Sequence, residues 1–154
     1  FVTGPDVIRS VTGESVSKDE LGGPDVHTEK SGVVTHVGED DESTLDWVKR
    51  LLSYLPSNNL ETPPILKLSA EQTTTEIPQE NLVPSDSSKP YDMFQVISSI
   101  VDAGSFLELH ADFAKNILTG LARLEGHTIG VVANNPRELA GCLDINASDK
   151  ENPD

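Results

Sequence analysis

Apolar residues recur at helical spacing in two segments of the chain. The run DDESTLDWVKRLLSYLP begins with acidic residues and carries basic residues later, which matches the dipole of a helix. Its apolar face consists of Leu45, Val48, Leu51, Leu52 and Leu55, and Pro56 is expected to end the helix. The run YDMFQVISSIVD has a second such face, formed by Met93, Val96, Ile97, Ile100 and Val101. The pattern predicts one helix in each run.

Capping signals predict two shorter helices near the start of the chain. Pro5 is suited to the first turn of a helix, and Gly13 lies where such a helix would stop. Ser17 and Glu20 have the spacing of a capping box, and the pair Gly22-Gly23 marks the end of the second helix.

Strand signals occur once in the first half of the chain and are concentrated in the second half. SGVVTHV is a short β-rich run, SFLELH alternates, and NILTGLARLEGHTIGVVAN predicts two strands joined at Glu125-Gly126. DINASDK begins like a helix that breaks at Asn152-Pro153. The apolar strand pair has little further sheet to cover it, so we expect exposed sheet edges and association of the isolated chain.

A segment without periodicity separates the two patterned regions. Residues 57–89 contain four prolines and many Ser, Thr, Asn and Gln residues, which is typical of an interdomain connection. This interpretation divides the chain into residues 1–56, a linker at 57–89, and residues 90–154. We expect that the flanking regions do not form one compact body and that proteolysis cuts first in the linker.

Composition and charge narrow the classes of partner. Of 154 residues, 26 are acidic and 11 are Lys or Arg, for a net charge of −15. Such a charge disfavours nucleic acids and anionic membrane surfaces as partners, and no apolar run is long enough to span a bilayer. The chain has no signal-peptide pattern, and its one cysteine, Cys142, fits a reducing compartment. We predict a soluble cytoplasmic protein with no nucleic-acid or membrane partner.

Few residues have the spacing that catalysis or metal binding requires. The histidines His27, His36, His110 and His127 show no metal-ligand spacing, so no metal site is predicted. Cys142 has no basic neighbour to stabilise a thiolate. No catalytic residue is assigned.

Two turns are candidates for ligand binding. The turn at Gly22 and Gly23, with His27 shortly after it, can present backbone N–H groups to an oxyanion or phosphate, or it can be an ordinary helix end. Asn134 and Asn135, followed by a proline, end an apolar strand, where they form either a simple turn or the lip of a ligand site.

The order of the motifs resembles a known family. The stretch from TGPDVIRSVTGE to LLSYLPSNN is similar to the carboxyltransferase (β) subunit of biotin-dependent acyl-CoA carboxylases, particularly those acting on propionyl-CoA. The resemblance resumes in YDMFQVISSIVDAGSFLEL, AKNILTGLARLEGHTIGVVANNP and AGCLDINASDK. The final ENPD departs from the family pattern, which leaves the end of the last helix open.

The resemblance implies a crotonase-like α/β fold that occurs twice in the family chain. Residues 1–56 then correspond to the end of the N-terminal carboxyltransferase domain, 57–89 to the interdomain linker, and 90–154 to the start of the C-terminal domain. On this basis the sequence is expected to be an internal fragment.

The resemblance also implies transfer of a carboxyl group from carboxybiotin to the α-carbon of an acyl-CoA. Biotin is then carried by a partner carrier domain, a biotin carboxylase subunit is a partner, and the intact subunit is a homo-oligomer. The glycine-rich turns that stabilise both oxyanions lie in family segments outside this sequence. Gly22, Gly23, His27, Asn134 and Asn135 are therefore expected to line the substrate cleft without acting as catalytic donors.

Three alternatives stay open. The related subunits of biotin-dependent acyl-CoA decarboxylases share the motif order. A non-catalytic acidic binding module would recognise a partner through exposed strand edges. A crotonase-type hydratase has less support because its oxyanion motifs are not found here.

Overall fold

The fold combines five helices with one small antiparallel sheet in the part of the chain that is described. The computed structural model describes residues 3–67, 82–86 and 88–151. The helices are α1 (Pro5–Thr12), α2 (Lys18–Gly22), α3 (Asp41–Leu52), α4 (Met93–Ile100) and α5 (Ile145–Glu151). The strands are β1 (Leu107–Leu109), β2 (Ile117–Leu124) and β3 (His127–Asn134). A π-helical turn covers Val26–Lys30, and a 3₁₀ turn covers Leu139–Gly141.

The capping signals give the first two helices as predicted. α1 begins at Pro5, and Gly13 ends it in the left-handed region at φ 77°, where its N–H donates to the Arg9 carbonyl. In α2 the Ser17 hydroxyl accepts from the Glu20 N–H at 3.1 Å, and the Glu20 carboxylate accepts from the Ser17 N–H at 2.8 Å. These hydrogen bonds lower the pKa of the Glu20 carboxyl below its ordinary value.

α3 forms where the apolar face predicts it, but it ends earlier than expected. The Asp40 carboxylate caps its first turn, and the last helical residue is Leu52 rather than a residue next to Pro56. The chain turns after Leu52 because Tyr54 is buried and its hydroxyl donates to the Ser105 carbonyl. Most of the predicted apolar face is exposed within the described structure: Leu45, Val48, Leu52 and Leu55.

The strand expected in SGVVTHV is wrong. No residue of this run is in a strand, and Val33 and Val37 are exposed. The Thr35 carbonyl instead accepts a single hydrogen bond from the His110 N–H at 3.1 Å. A β-rich run needs a neighbouring strand to pair with, and the described part of the chain brings none to this one.

The sheet has the order β1-β2-β3, and the predicted hairpin is confirmed. β2 and β3 pair from Ile117↔Asn134 to Leu124↔His127. Glu125 (φ 51°) and Gly126 (φ 79°) form the connection, and two positive φ values are typical of a tight hairpin turn. Helix α4 packs against the sheet over a core of Ile97, Val101, Phe106, Leu118 and Ala122.

Asp102 holds the hairpin turn in place. This residue is 4% exposed, and its carboxylate accepts from the N–H groups of Glu125 and Gly126 at 2.9 and 2.8 Å. Its own N–H donates to the Arg123 carbonyl at 2.8 Å. Asp102 therefore joins the loop between α4 and β1 to the hairpin turn by two hydrogen bonds and to Arg123 of β2 by a third.

The two patterned regions contact each other, contrary to the expectation of separate bodies. Arg50 of α3 donates to the carbonyls of Gly104 and Phe106 at 2.9 and 3.0 Å. The Leu66 N–H, within the predicted linker, donates to the Gly126 carbonyl at 3.1 Å. Hydrogen bonds from α3 and from the linker residue Leu66 therefore both join the two regions. The domain boundaries themselves and the proteolysis site stay predictions, and residues 68–81 and 87 lie outside the described residues.

Replacing Gly126 with Ala is expected to destabilise the chain by about 2 kcal/mol. Its φ is strained for any residue with a Cβ, and the added Cβ would also meet the Leu66 carbonyl oxygen. Gly13→Ala is a matched control, since Gly13 has a similar φ of 77° but open space around the Cβ position. Urea unfolding of both variants separates the two effects. Equal losses of unfolding free energy in the two variants would show that the contact with Leu66 does not contribute to the destabilisation.

Candidate functional site

The predicted glycine turn is committed to internal hydrogen bonds. Gly22 is the last residue of α2, and the Gly23 N–H donates to the Asp19 carbonyl at 2.8 Å. The Gly23 carbonyl accepts from the Val26 N–H at 3.2 Å. A Cβ at Gly23 would lie 2.7 Å from the Asp19 oxygen, so close packing also requires glycine here. The Gly23 N–H is thus occupied in this structure by the end of its own helix.

His27 lies in the π-helical turn that follows. Its Nδ1 is 3.4 Å from the Ser31 hydroxyl, and its carbonyl accepts from the Val34 N–H at 3.1 Å. These contacts hold the turn together and place Ser31 next to the loop of residues 32–35. A role for His27 in substrate binding stays a prediction.

Asn135 forms a turn whose polar groups are paired within the chain. Its N–H donates to the Asn116 carbonyl at 2.7 Å, and its side-chain amide donates to the Lys115 carbonyl at 2.9 Å. Its side-chain oxygen accepts from the Arg137 N–H at 3.3 Å. The structure therefore shows the turn that the sequence allowed, and a function as the lip of a ligand site stays a prediction.

Asn134 is tied to the same region. Its side-chain amide is 3.5 Å from the Gly141 carbonyl. The five predicted site residues thus form two groups, one around α2 and one at the end of β3. No hydrogen bond described in residues 3–67, 82–86 and 88–151 joins the groups.

A cluster of titratable groups that the sequence did not indicate lies beside β1. Lys150 of α5 is 6% exposed, and its ammonium group donates to the carbonyls of Phe113 and Ile117 at 2.9 and 2.8 Å. Burial lowers the pKa of Lys150, while the negative charges of Glu108 and Asp112 oppose this shift. Burial likewise raises the pKa of the Glu108 carboxyl, with the Lys150 charge acting in the opposite direction.

His110 completes this cluster. It has a left-handed backbone (φ 52°), and its Nε2 lies 3.3 Å from the Thr35 hydroxyl. Its Nδ1 is buried without a hydrogen-bond partner among the described residues. Burial is the main cause that lowers the pKa of His110, the positive charge of Lys150 adds to it, and the backbone of Gly32 opposes it.

His110 and Lys150 border a cavity of about 230 Å³. Residues 31–33 form one side, His110 and Phe113 another, and Asp149 and Lys150 a third. The cavity wall thus includes the His110 imidazole and the buried Lys150 ammonium group, which already donates to two carbonyls. Within the described ranges, no three His, Cys, Asp or Glu residues lie together in a way that suits a metal ion.

Sequence reasoning missed this cavity for a physical reason. Its walls come from three regions that are far apart in the chain, and His110 appears in the sequence only as a lone histidine after a short strand. The single usable signal was the helical spacing of Ala147 and Lys150, both buried on one face of α5.

Acidification is expected to destabilise the chain less when His110 is replaced by Asn. Because its pKa is lowered in the fold, His110 favours folding above about pH 6.5, and this contribution is lost as pH falls through the folded pKa. Asn does not titrate and tolerates the left-handed backbone.

The measurement is the free energy of unfolding from about pH 7.5 down to about pH 5. The difference between the two proteins at the higher pH serves as the control, because it reports lost packing alone. If the difference in unfolding free energy between the original chain and His110→Asn were the same at every pH, titration of His110 would not contribute to the loss of stability in acid.

Comparison with known proteins decides the family. The profile of the carboxyl transferase domain matches residues 1–153. The chain belongs to the carboxyl transferase domain family. The resemblance seen in the sequence is thereby confirmed.

Members of this family from several organisms are similar to the chain. It is 49% identical over 150 residues to the propionyl-CoA carboxylase carboxyltransferase subunit of Haloferax mediterranei, covering 97% of this chain and 29% of that protein. It is 43% identical over 150 residues to the methylmalonyl-CoA decarboxylase subunit alpha of Veillonella parvula, covering 97% of this chain and 30% of that protein. The chain thus spans less than a third of the length of these relatives.

A solved carboxyl transferase structure has the same arrangement. The transcarboxylase 12S structure, described as a hexamer assembly with methylmalonyl-coenzyme A and methylmalonic acid bound, matches with a TM-score of 0.89 and 46% identity. The match covers 97% of this chain and 29% of that chain. The α/β class is therefore shown for this member of the family. Among the described residues, no helix has both the length and the apolar character that a membrane span requires.

Proposed function

We propose that the chain is part of a carboxyltransferase that moves a carboxyl group from carboxybiotin to the α-carbon of an acyl-CoA. The observation that carries this proposal is the match of the carboxyl transferase domain to residues 1–153. The similarity to a propionyl-CoA carboxylase subunit supports propionyl-CoA as the acyl-CoA substrate.

The reaction requires that negative charge be stabilised on two oxygens, the thioester oxygen of the enolate and the ureido oxygen of biotin. Fixed backbone N–H groups in a cleft that excludes water perform this task well. In this chain the N–H groups of Gly23 and Asn135 already donate to the carbonyls of Asp19 and Asn116. We therefore propose that Gly22, Gly23, His27, Asn134 and Asn135 line the cleft and that the oxyanion donors are other groups.

The proposal extends to the fold and the partners. The fold is a crotonase-like α/β fold, of which residues 1–56 and 90–154 belong to two related domains. Biotin reaches the site on a partner carrier domain that a biotin carboxylase subunit charges, and nothing in the proposal binds biotin covalently to this chain. The hexamer described for transcarboxylase 12S supports a homo-oligomeric subunit. A cytoplasmic location stays a prediction.

A decarboxylase subunit is the second candidate. The similarity to a methylmalonyl-CoA decarboxylase subunit favours it, since that protein is 43% identical over the same region. Carboxylase and decarboxylase run carboxyl transfer between biotin and acyl-CoA in opposite directions. The acidic binding module has no comparable support, because the family match covers both halves of the chain.

The test uses the protein that the complete gene encodes, supplied with a biotinylated carrier domain. With carboxybiotin and propionyl-CoA, we expect methylmalonyl-CoA as the product, detected by mass spectrometry. Acetyl-CoA and butyryl-CoA measured in parallel define the acyl preference. Carboxyl transfer only from methylmalonyl-CoA to biotin would favour the decarboxylase, and no transfer in either direction would overturn the proposal.

A further inference from the structure

A second cleft, separate from the His110 cavity, opens where β3 ends and α4 begins. It has a volume of about 350 Å³ and lies between residues 88–91 and a wall made of Pro136, Arg137 and Ala140. An adjoining cleft of about 280 Å³ shares residues 89–91 and Arg137 with it. The larger cleft falls within the range of about 300–1,000 Å³ that is usual for small-molecule sites.

Two cations line this cleft, in a chain where acidic residues outnumber Lys and Arg by 26 to 11. Lys89 and Arg137 are the charged residues of its described lining, and Asp92, the ion-pair partner of Arg137, lines the adjoining cleft. Cations at a concave site raise the positive potential there. An anionic ligand is the partner that such a site favours.

An ion pair with Asp92 holds the guanidinium group of Arg137 in position. Its Nη1 lies 2.9 Å from the Asp92 carboxylate, and that carboxylate also caps α4 by accepting from the Phe94 N–H at 3.0 Å. This arrangement fixes one edge of the fork, and the guanidinium has further N–H donors beyond Nη1. Arginine presents such donors in the geometry that a phosphate group accepts.

The backbone beside the cleft is strained. Leu139, Ala140 and Gly141 are three successive residues with positive φ values of 47°, 53° and 72°. Residues other than glycine rarely adopt positive φ values, and those that do are concentrated at active sites and ligand sites. Ala140 lies on the cleft wall together with Arg137.

We propose that this cleft binds the phosphate groups of a phosphorylated ligand, with Lys89 and Arg137 as the residues that contact them. Lys89 supplies a mobile point charge, and Arg137 supplies the oriented fork. Tyr91 lines both clefts and offers an aromatic face on which a base can stack. The inference concerns ligand binding alone and requires no carboxyl transfer.

The experiment is calorimetric titration of the protein that the complete gene encodes, at low ionic strength. The probes are inorganic phosphate, ADP and adenosine. We expect saturable binding of ADP and of phosphate, no binding of adenosine, and an affinity that decreases as salt is added. Tighter binding of ADP identifies a nucleotide as the source of the phosphate, whereas equal affinities identify free phosphate.

Substitutions then test the two cations. Lys89→Gln and Arg137→Gln are each expected to weaken ADP binding about tenfold, because each removes a charge-assisted contact. Lys89→Arg should restore binding, and Lys18→Gln removes the same charge from an exposed site on α2 as a matched control. Thermal unfolding of every variant confirms that the fold is retained.

Three outcomes would overturn the proposal. The first is the absence of saturable phosphate or ADP binding, and the second is binding of adenosine as tight as that of ADP. The third is ADP binding that Lys89→Gln and Arg137→Gln leave unchanged, or that Lys18→Gln weakens equally.

Discussion

Replacing Arg123 with Met is expected to lower the free energy of unfolding by about 3 kcal/mol. Arg123 is 3% exposed near the turn end of the hairpin, and it joins regions that are far apart in sequence. Its Nη2 donates to the Ser53 carbonyl at 2.7 Å, and its Nη1 donates to the Pro64 carbonyl at 3.1 Å. The guanidinium also lies 4.5 Å from the centre of the Tyr54 ring. Met fills similar space but leaves both carbonyls without these donors.

The control for Arg123 is Arg9→Met on the exposed helix α1, with an expected change of less than about 0.5 kcal/mol. The free energy of unfolding of Arg123→Lys is expected to lie between those of Arg123→Met and the original chain. One ammonium group cannot reach all the acceptors that a planar guanidinium group reaches. Urea unfolding followed by circular dichroism measures all three variants. A loss for Arg123→Met no larger than that for Arg9→Met would show that the buried contacts do not stabilise the fold.

The second large effect concerns activity. The 154 residues by themselves are expected to carboxylate propionyl-CoA at a rate at least about 10²–10³ below that of a full carboxyltransferase subunit, since losing one oxyanion donor already costs that much. The candidate turn groups in this chain are engaged elsewhere: the Gly23 N–H with Asp19 and the Asn135 N–H with Asn116. The relatives also supply more than three times as many residues, with 29% of the Haloferax mediterranei subunit covered.

The assay measures carboxyl transfer from carboxybiotin to propionyl-CoA by the purified chain. The full-length Haloferax mediterranei subunit is the positive control, and circular dichroism verifies that the chain is folded. Activity close to that of the control subunit would mean that the oxyanion donors lie within these 154 residues, which would refute our assignment of Gly22, Gly23, His27, Asn134 and Asn135 as lining residues only.

Local chemistry accounts for the elements that the sequence predicted correctly. Pro5 and Gly13 bound α1, Ser17 and Glu20 form their capping box, and Glu125-Gly126 makes the hairpin turn. Each of these signals acts within a few residues of its effect. The sequence is sufficient in such cases because the partner of each residue is close by in the chain.

Elements whose outcome depends on distant partners were predicted poorly. The helix α3 ends at Leu52 because Tyr54 is drawn to Ser105, 51 residues further along the chain. The β-rich run at residues 31–37 has no neighbouring strand among the described residues, and Thr35 contacts the backbone and the ring of His110 instead. The burial of Lys150 depends on carbonyls 33 and 37 residues away. The local pattern of residues does not indicate which distant part of the chain will supply the partner.

The contacts of Arg123 have a consequence for sequence variation in this family. Its strong acceptors are main-chain carbonyls at positions 53 and 64, and every amino acid supplies such a group. Changes of residue type at those two positions therefore leave the acceptors in place, whereas the donor depends on one side chain alone. We therefore expect no correlated substitutions between position 123 and positions 53 and 64. Methods that infer spatial proximity from correlated substitutions would overlook these contacts.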